Sequence, residues 1–167
     1  MDVLVSDTSV IIDLERADLI ENIFTLPFRF VVPGGLFEKE MQGYGGERLI
    51  NLGLEVWTLI GEQVEEAQRL RSEERRISIH DSYALVLARA APAALLTGDA
   101  ALRRLAEAKG VSCHGVLWVF DQLEDNRTMP PTLLHEALTR LAAHPRCRLP
   151  AHEVNLRLAR LGAEPAE

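Results

Sequence analysis

Hydrophobic positions along the chain fall into short blocks of two kinds, compact runs and residues recurring at helical spacing. Residues 3–6 are a short apolar run that ends in Asp7-Thr8-Ser9, and Val10, Ile11 and Leu14 then repeat as one helix face. Strand, turn and helix are predicted in that order. Leu19, Ile20, Ile23 and Phe24 share a face of a second helix over 18–26, stopped by Pro27. Residues 28–32 predict a strand closed by Pro33-Gly34-Gly35, followed by a helix with Leu36, Phe37, Glu40 and Met41 that ends in glycines. A short helix over 47–52 and a strand over 54–60 come next. The stretch 61–76 is charge-rich and amphipathic, its Glu and Arg residues reading as a solvated face. The helix predicted over 79–91 is far more apolar, with Ala84, Leu85, Val86, Leu87 and Ala88 nearly continuous, as burial on most sides requires. Residues 94–97 fit a buried parallel strand, 100–109 a helix capped by Gly110, 111–113 a strand and 116–123 a helix.

Strands that alternate with helices predict an α/β fold, a three-layer α/β/α domain around a central, mostly parallel sheet. From Pro130-Pro131 onward the pattern becomes helical only, with Leu133, Leu134, Leu138 and Leu141 in one segment and Val154, Leu158 and Leu161 in the next. Residues 1–125 are therefore expected to form the sheet domain, and 126–167 a helical C-terminal extension packed on it or on a dimer partner. A length of 167 residues fits one domain. No apolar run reaches the roughly 18 to 20 residues that span a bilayer, and the opening residues lack the basic start of a signal peptide, so a cytoplasmic location is expected. Cys113 and Cys147 show no metal-ligand spacing and are expected to be buried free thiols.

Charge adds a puzzle. Eighteen basic against 25 acidic residues leave a net charge of −7, which at first sight counts against a nucleic-acid partner. Gathering four carboxylates around divalent cations would remove much of that excess. The basic residues, moreover, are arginines apart from Lys39 and Lys109, and arginine's planar fork suits phosphate.

Asp7 and Asp99 each sit where a predicted parallel strand gives way to a helix, the end of an α/β sheet at which ligands bind. Asp81 lies in the first turn of the very apolar helix, and Glu40 follows Leu36 by four positions, beside the core-facing stripe. Each also has a plain structural use, Asp7 as a helix N-cap, Asp81 as a first-turn capping acid and Asp99 as a turn residue. Four acids at one point disfavour one another's ionised forms unless a counter-charge is present. Hard oxygen ligands without histidine or cysteine select Mg²⁺ or Mn²⁺, which activate water for phosphodiester hydrolysis. Thr8, Ser9 and Thr97 supply hydroxyls to orient the carboxylates. His80 and His114 are expected to hydrogen-bond locally, and Trp57 and Trp118 to fill core or interface.

In their order these segments resemble the PIN-domain ribonucleases, especially the VapC-type toxins of toxin-antitoxin modules. The resemblance runs over about residues 2–125. Val3-Leu4-Val5-Ser6-Asp7-Thr8-Ser9 is similar to the family's opening strand and first metal-binding aspartate, and Leu95-Leu96-Thr97-Gly98-Asp99 to its fourth motif. Ile77-Ser78-Ile79-His80-Asp81 resembles the third, and Leu36-Phe37-Glu38-Lys39-Glu40-Met41 the second, with Glu38 as an alternative to Glu40. The resemblance implies a Mg²⁺- or Mn²⁺-dependent ribonuclease whose metal-binding and catalytic residues are Asp7, Glu40, Asp81 and Asp99. It further implies an RNA substrate, a protein antitoxin and a homodimer. Alternatives are a housekeeping RNA-processing nuclease and a catalytically inactive interaction protein. A dehalogenase-type phosphatase would need a second acid where Ser9 stands, and a phosphoacceptor receiver domain would need a lysine placed later than Lys109.

Overall fold

Five strands, β1 (Asp2–Ser6), β2 (Phe28–Pro33), β3 (Glu55–Trp57), β4 (Ala94–Leu96) and β5 (Cys113–His114), form one sheet in the computed structural model, which describes residues 1–162. Their order is β3-β2-β1-β4-β5, and every pairing is parallel. The chain builds outward from β1 to β3, then crosses back to add β4 and β5 on the other side. This reversal falls between β1 and β4, where an open parallel sheet leaves a crevice beyond its C-terminal strand ends.

Successive strand residues point to opposite faces. Leu4, Phe30, Val32 and Leu96 enter one core, Val5, Val31 and Leu95 the other. Helices α1 (Thr8–Arg16), α2 (Ile20–Ile23) and α8 (Val116–Asp125) cover the first face, while α5 (Gly61–Glu73), α6 (Ile79–Ala90) and α7 (Ala100–Ala108) cover the second. The three-layer α/β/α arrangement expected from the sequence is what forms, with a wholly parallel sheet. Ala84 to Ala88 of α6 are all buried, which explains the near-continuous apolar run.

Between β2 and β3, α3 (Gly34–Leu36) runs on into a π-helical turn over Phe37–Met41, and α4 (Gly46–Leu52) follows. The C-terminal helices α9 (Pro131–Ala142) and α10 (Ala151–Leu161) bury Leu134, Leu138, Leu141, Val154 and Leu161 in the same core as α1 and α8. Ion pairs strap α10 to α8: Arg157 reaches both oxygens of Asp121, at 2.8 and 2.7 Å, and Arg160 reaches Asp121 and Glu124, at 3.0 and 2.7 Å. Residues 163–167 of the expected extension lie outside the described residues.

Several local expectations change: the strand predicted over 111–113 forms at Cys113–His114, and the helix predicted from Leu36 is π-helical over Phe37–Met41. The helix predicted over 18–26 is a single turn, because Asp18 adopts a left-handed conformation (φ 57°) and the Thr25 hydroxyl bonds the Asn22 carbonyl at 2.6 Å. The strand predicted over 54–60 is paired only at Glu55–Trp57, since β3 lies at the sheet edge and meets β2 alone. The long helix over 61–76 stops at Glu73, and Glu74 turns back to accept hydrogen bonds from the backbone and guanidinium of Arg76. No described helix is long and apolar enough to cross a membrane.

Candidate active site

Asp7 links β1 to α1 as the helix N-cap. Its backbone is extended (φ −83°, ψ 172°), and its Oδ1 caps the helix, accepting from the Val10 N–H at 3.2 Å and the Ser9 hydroxyl at 2.7 Å. Thr97, just past β4, donates to Oδ2 at 2.5 Å, and its hydroxyl oxygen accepts from the Asp99 N–H at 3.0 Å. The neighbouring strand ends at the sheet's reversal are thus joined by one hydrogen-bonded chain, Asp7 to Thr97 to Asp99. Asp7 is only 3% exposed. Burial pushes its carboxyl up to about 6, against the downward pull of its hydrogen bonds, and the charge of Asp81 adds a smaller push upward.

The other acids approach from separate elements. Asp99 is the exposed N-cap of α7 and accepts from the Leu102 N–H at 2.7 Å. Asp81 completes a capping box on α6, its Oδ2 accepting from Ser78 N–H and its own N–H donating to the Ser78 hydroxyl, both at 3.0 Å. Three helices therefore open with an acid whose charge is favoured by the helix dipole. Glu40 projects, exposed, from the π-helical turn and accepts from the Thr8 hydroxyl at 2.5 Å. That bond ties it to the residue beside Asp7, whereas Glu38 makes no side-chain hydrogen bond among the described residues. A Cβ on Gly35 would meet the Tyr83 ring at 3.1 Å, so glycine there lets α3 press closely on α6.

As they stand, these side chains do not form a closed ligand cage: among the described residues no three His, Cys, Asp or Glu groups gather closely enough to hold a metal ion. The carboxylates are turned to helix N-termini and hydroxyls instead. Three of the four leave an oxygen unused, since Asp81 Oδ1, Asp99 Oδ2 and Glu40 Oε1 accept nothing among the described residues, whereas both oxygens of Asp7 are engaged. The donor set is entirely hard oxygen, centred on a buried aspartate under its own desolvation cost, and its chemistry suits Mg²⁺ or Mn²⁺. Side-chain rotation about the caps is what closure on a cation requires.

Other sequence expectations shift. His80 finds no local partner: its Nδ1 is buried without a hydrogen bond, and its ring meets Tyr83 edge-on. His114 instead stacks on Trp118, with centroids 4.1 Å apart and planes at 8°, and burial together with nearby Arg103 lowers its pKa. Cys113 and Cys147 are half-buried free thiols, and burial pushes Cys147 up to about 11. Trp57 and Trp118 pack partly buried against the two cores. Sequence reasoning missed the arginines that flank the crevice, Arg103, Arg104, Arg146 and Arg148. Their only signal was the excess of arginine over lysine, because no period or motif links them.

The fold and site together define an α/β protein with an acidic crevice at the switch point of its sheet. A family model described as DUF3368, PIN domain, matches residues 3–163. The chain belongs to this PIN-domain family, whose members are generally nucleases and typically use divalent metal ions. Among solved structures, a PilT N-terminus domain protein from the hyperthermophilic archaeon Sulfolobus solfataricus P2 shares the fold, with a TM-score of 0.50 at 15% identity over 74% of this chain and 95% of that one. No curated protein matches the chain significantly.

Proposed function

We propose that this protein is a Mg²⁺- or Mn²⁺-dependent endoribonuclease that hydrolyses single-stranded RNA at the crevice formed by Asp7, Glu40, Asp81 and Asp99, and that it acts as the toxin of a toxin-antitoxin pair. The observation that carries the nuclease reading is the buried Asp7, hydrogen-bonded through Thr97 to Asp99 across the sheet's reversal. Asp7, Asp81, Asp99 and Glu40 are the residues that would hold the cation. When bound, the ion lowers the pKa of a water and offsets charge growing on the phosphate. The chain supplies the rest. Ser9 and Thr97 fix both oxygens of Asp7, and Thr8 holds Glu40 over the same strand end. In the hydrolysis a water oxygen bonds to phosphorus as a phosphorus–ribose oxygen bond breaks, and a proton from that water passes to the leaving oxygen.

Asp99→Asn tests this directly, because asparagine caps a helix about as well as aspartate and the fold should survive. Cleavage of a labelled single-stranded RNA with Mn²⁺ should fall by about 100-fold or more in Asp99→Asn and in Asp7→Asn. Undiminished cleavage by both variants, or cleavage that persists in excess chelator, overturns the proposal. The toxin role has its own readout: induced expression of the parent should arrest growth, Asp99→Asn should not, and co-expression of the partner protein should restore growth.

A further inference from the structure

Beside the acidic crevice lies a groove of about 780 Å³, bordered by α1, α7, the turn from β5 into α8 and the connection from α9 to α10. Ser9 and Thr97 line it, and both bond directly to Asp7, so the groove opens onto the candidate centre. Among the described residues its walls carry Arg16, Arg103, Arg104, Arg146, Arg148 and Arg157 against two acids, Asp13 and Glu153. Both acids are already paired, Asp13 with Arg16 at 3.3 Å and Glu153 with Arg157 at 2.9 Å. Arg103, Arg104, Arg146 and Arg148 form no ion pair among the described residues. A chain of net charge −7 thus places four guanidinium groups without an ion-pair partner among the described residues along one groove that leads to the buried carboxylate of Asp7.

Between these charges the groove is lined by Trp118 and His114, stacked on each other, and by the partly buried Leu117 and Leu149. Planar cations interleaved with aromatic and aliphatic surface match an unpaired nucleic-acid strand, whose phosphates take the arginines and whose bases take the apolar surface. We infer that this groove is the track of the RNA strand: Arg103, Arg104, Arg146 and Arg148 bind its phosphates and deliver it to Asp7. The identity of the strand as RNA rests on the nuclease reading above. The groove is also a property of the whole chain, because Arg146 and Arg148 come from the segment between α9 and α10, far from the four acids in sequence.

Binding separates the two ideas. A fluorophore-labelled single-stranded oligoribonucleotide is titrated with the full chain in chelator, where binding is read without cleavage, at several salt concentrations. Arg146→Ala with Arg148→Ala should weaken binding by about tenfold or more and reduce the steepness of the salt dependence. The corresponding double lysine variant keeps the charge and should stay within about threefold of the parent. Arg48→Ala with Arg89→Ala removes equal charge elsewhere and should stay within about twofold. Thermal melts confirm that each variant is folded, as expected for exposed arginines on a connecting segment. The inference is overturned if the parent does not bind the oligoribonucleotide, or if the groove pair behaves like the distant control pair. Groove-dependent binding by a parent that never cleaves keeps the groove and overturns the nuclease reading. Full-rate cleavage with unchanged binding in the groove variant keeps the nuclease and overturns the groove.

Discussion

Asp7 does two things that oppose each other energetically. It accepts three hydrogen bonds that organise the strand end, and it holds a carboxylate where water cannot solvate it. Raising its pKa from 3.8 to about 6 means that the ionised form costs the fold about 3 kcal/mol at pH 7. The cost is fully present above the folded value of about 6, fades as pH falls through it, and is gone below the unfolded value of 3.8. Metal-free protein should therefore melt at a higher temperature near pH 5 than at pH 7, before Glu55 and Glu74, whose pKa values arginine partners lower, begin to lose their contribution. Asp7→Asn should flatten that pH trend and raise the melting temperature at pH 7 by several degrees while cleavage is lost. Identical pH profiles for parent and variant would show that burial of Asp7 carries no such cost. Thr97→Val, nearly the same volume but without the hydroxyl, should cost about 1–3 kcal/mol and lower cleavage, with Thr97→Ser restoring both.

At the scale of an element, the π-helical turn that carries Glu40 depends on one close approach. A Cβ on Gly46 would lie 2.7 Å from the Met41 carbonyl oxygen and 2.8 Å from the Phe37 ring, with no slack on either side. Gly46→Ala should therefore shift the Phe37–Met41 turn, lose about 1–3 kcal/mol in chemical denaturation and reduce cleavage through displaced Glu40. Gly43 provides the comparison, since a Cβ there meets nothing within 4 Å and only its left-handed backbone (φ 83°) resists substitution. Gly43→Ala should cost about 1–2 kcal/mol and leave activity per folded molecule unchanged. Equal losses of activity in the two variants would remove the link between the turn's packing and Glu40.

Across the whole molecule, the C-terminal helices share the core on the α1 and α8 face of the sheet. Arg157 holds α10 against α8 through Asp121 and also pairs with Glu153 of its own helix, in a partly buried site. Arg157→Ala should cost about 1 kcal/mol, less than for a buried pair because solvent screens the carboxylates and Arg160 still reaches Asp121. Ending the chain after residue 150 removes Val154 and Leu161 from the core and should cost about 3–6 kcal/mol, seen as a lowered denaturation midpoint and association of the exposed face. A truncated chain as stable as the parent would mean that α10 packs without contributing to the fold.

What the sequence determined by itself was the local chemistry of the element boundaries. A short apolar run followed by Asp-Thr-Ser, or by Thr-Gly-Asp, encodes a strand, a cap and a helix within ten residues, so the alternation of elements and the placement of Asp7, Asp81 and Asp99 at helix starts could be read directly. The tertiary structure decided what local pattern does not encode. The edge position of β3 cut its pairing to three residues, and contact with Gly46 goes with a π-helical turn where helical spacing predicted an ordinary helix. Thr97, 90 residues from Asp7 in sequence, became its hydrogen-bond partner only because β4 lies beside β1. The arginine groove is the furthest from being legible: its residues come from α7 and from the connection ahead of α10, and nothing in their spacing relates them. Charge acts through space, so a net −7 along the chain and a positive groove in the fold are compatible once the parallel sheet and C-terminal helices bring those side chains together.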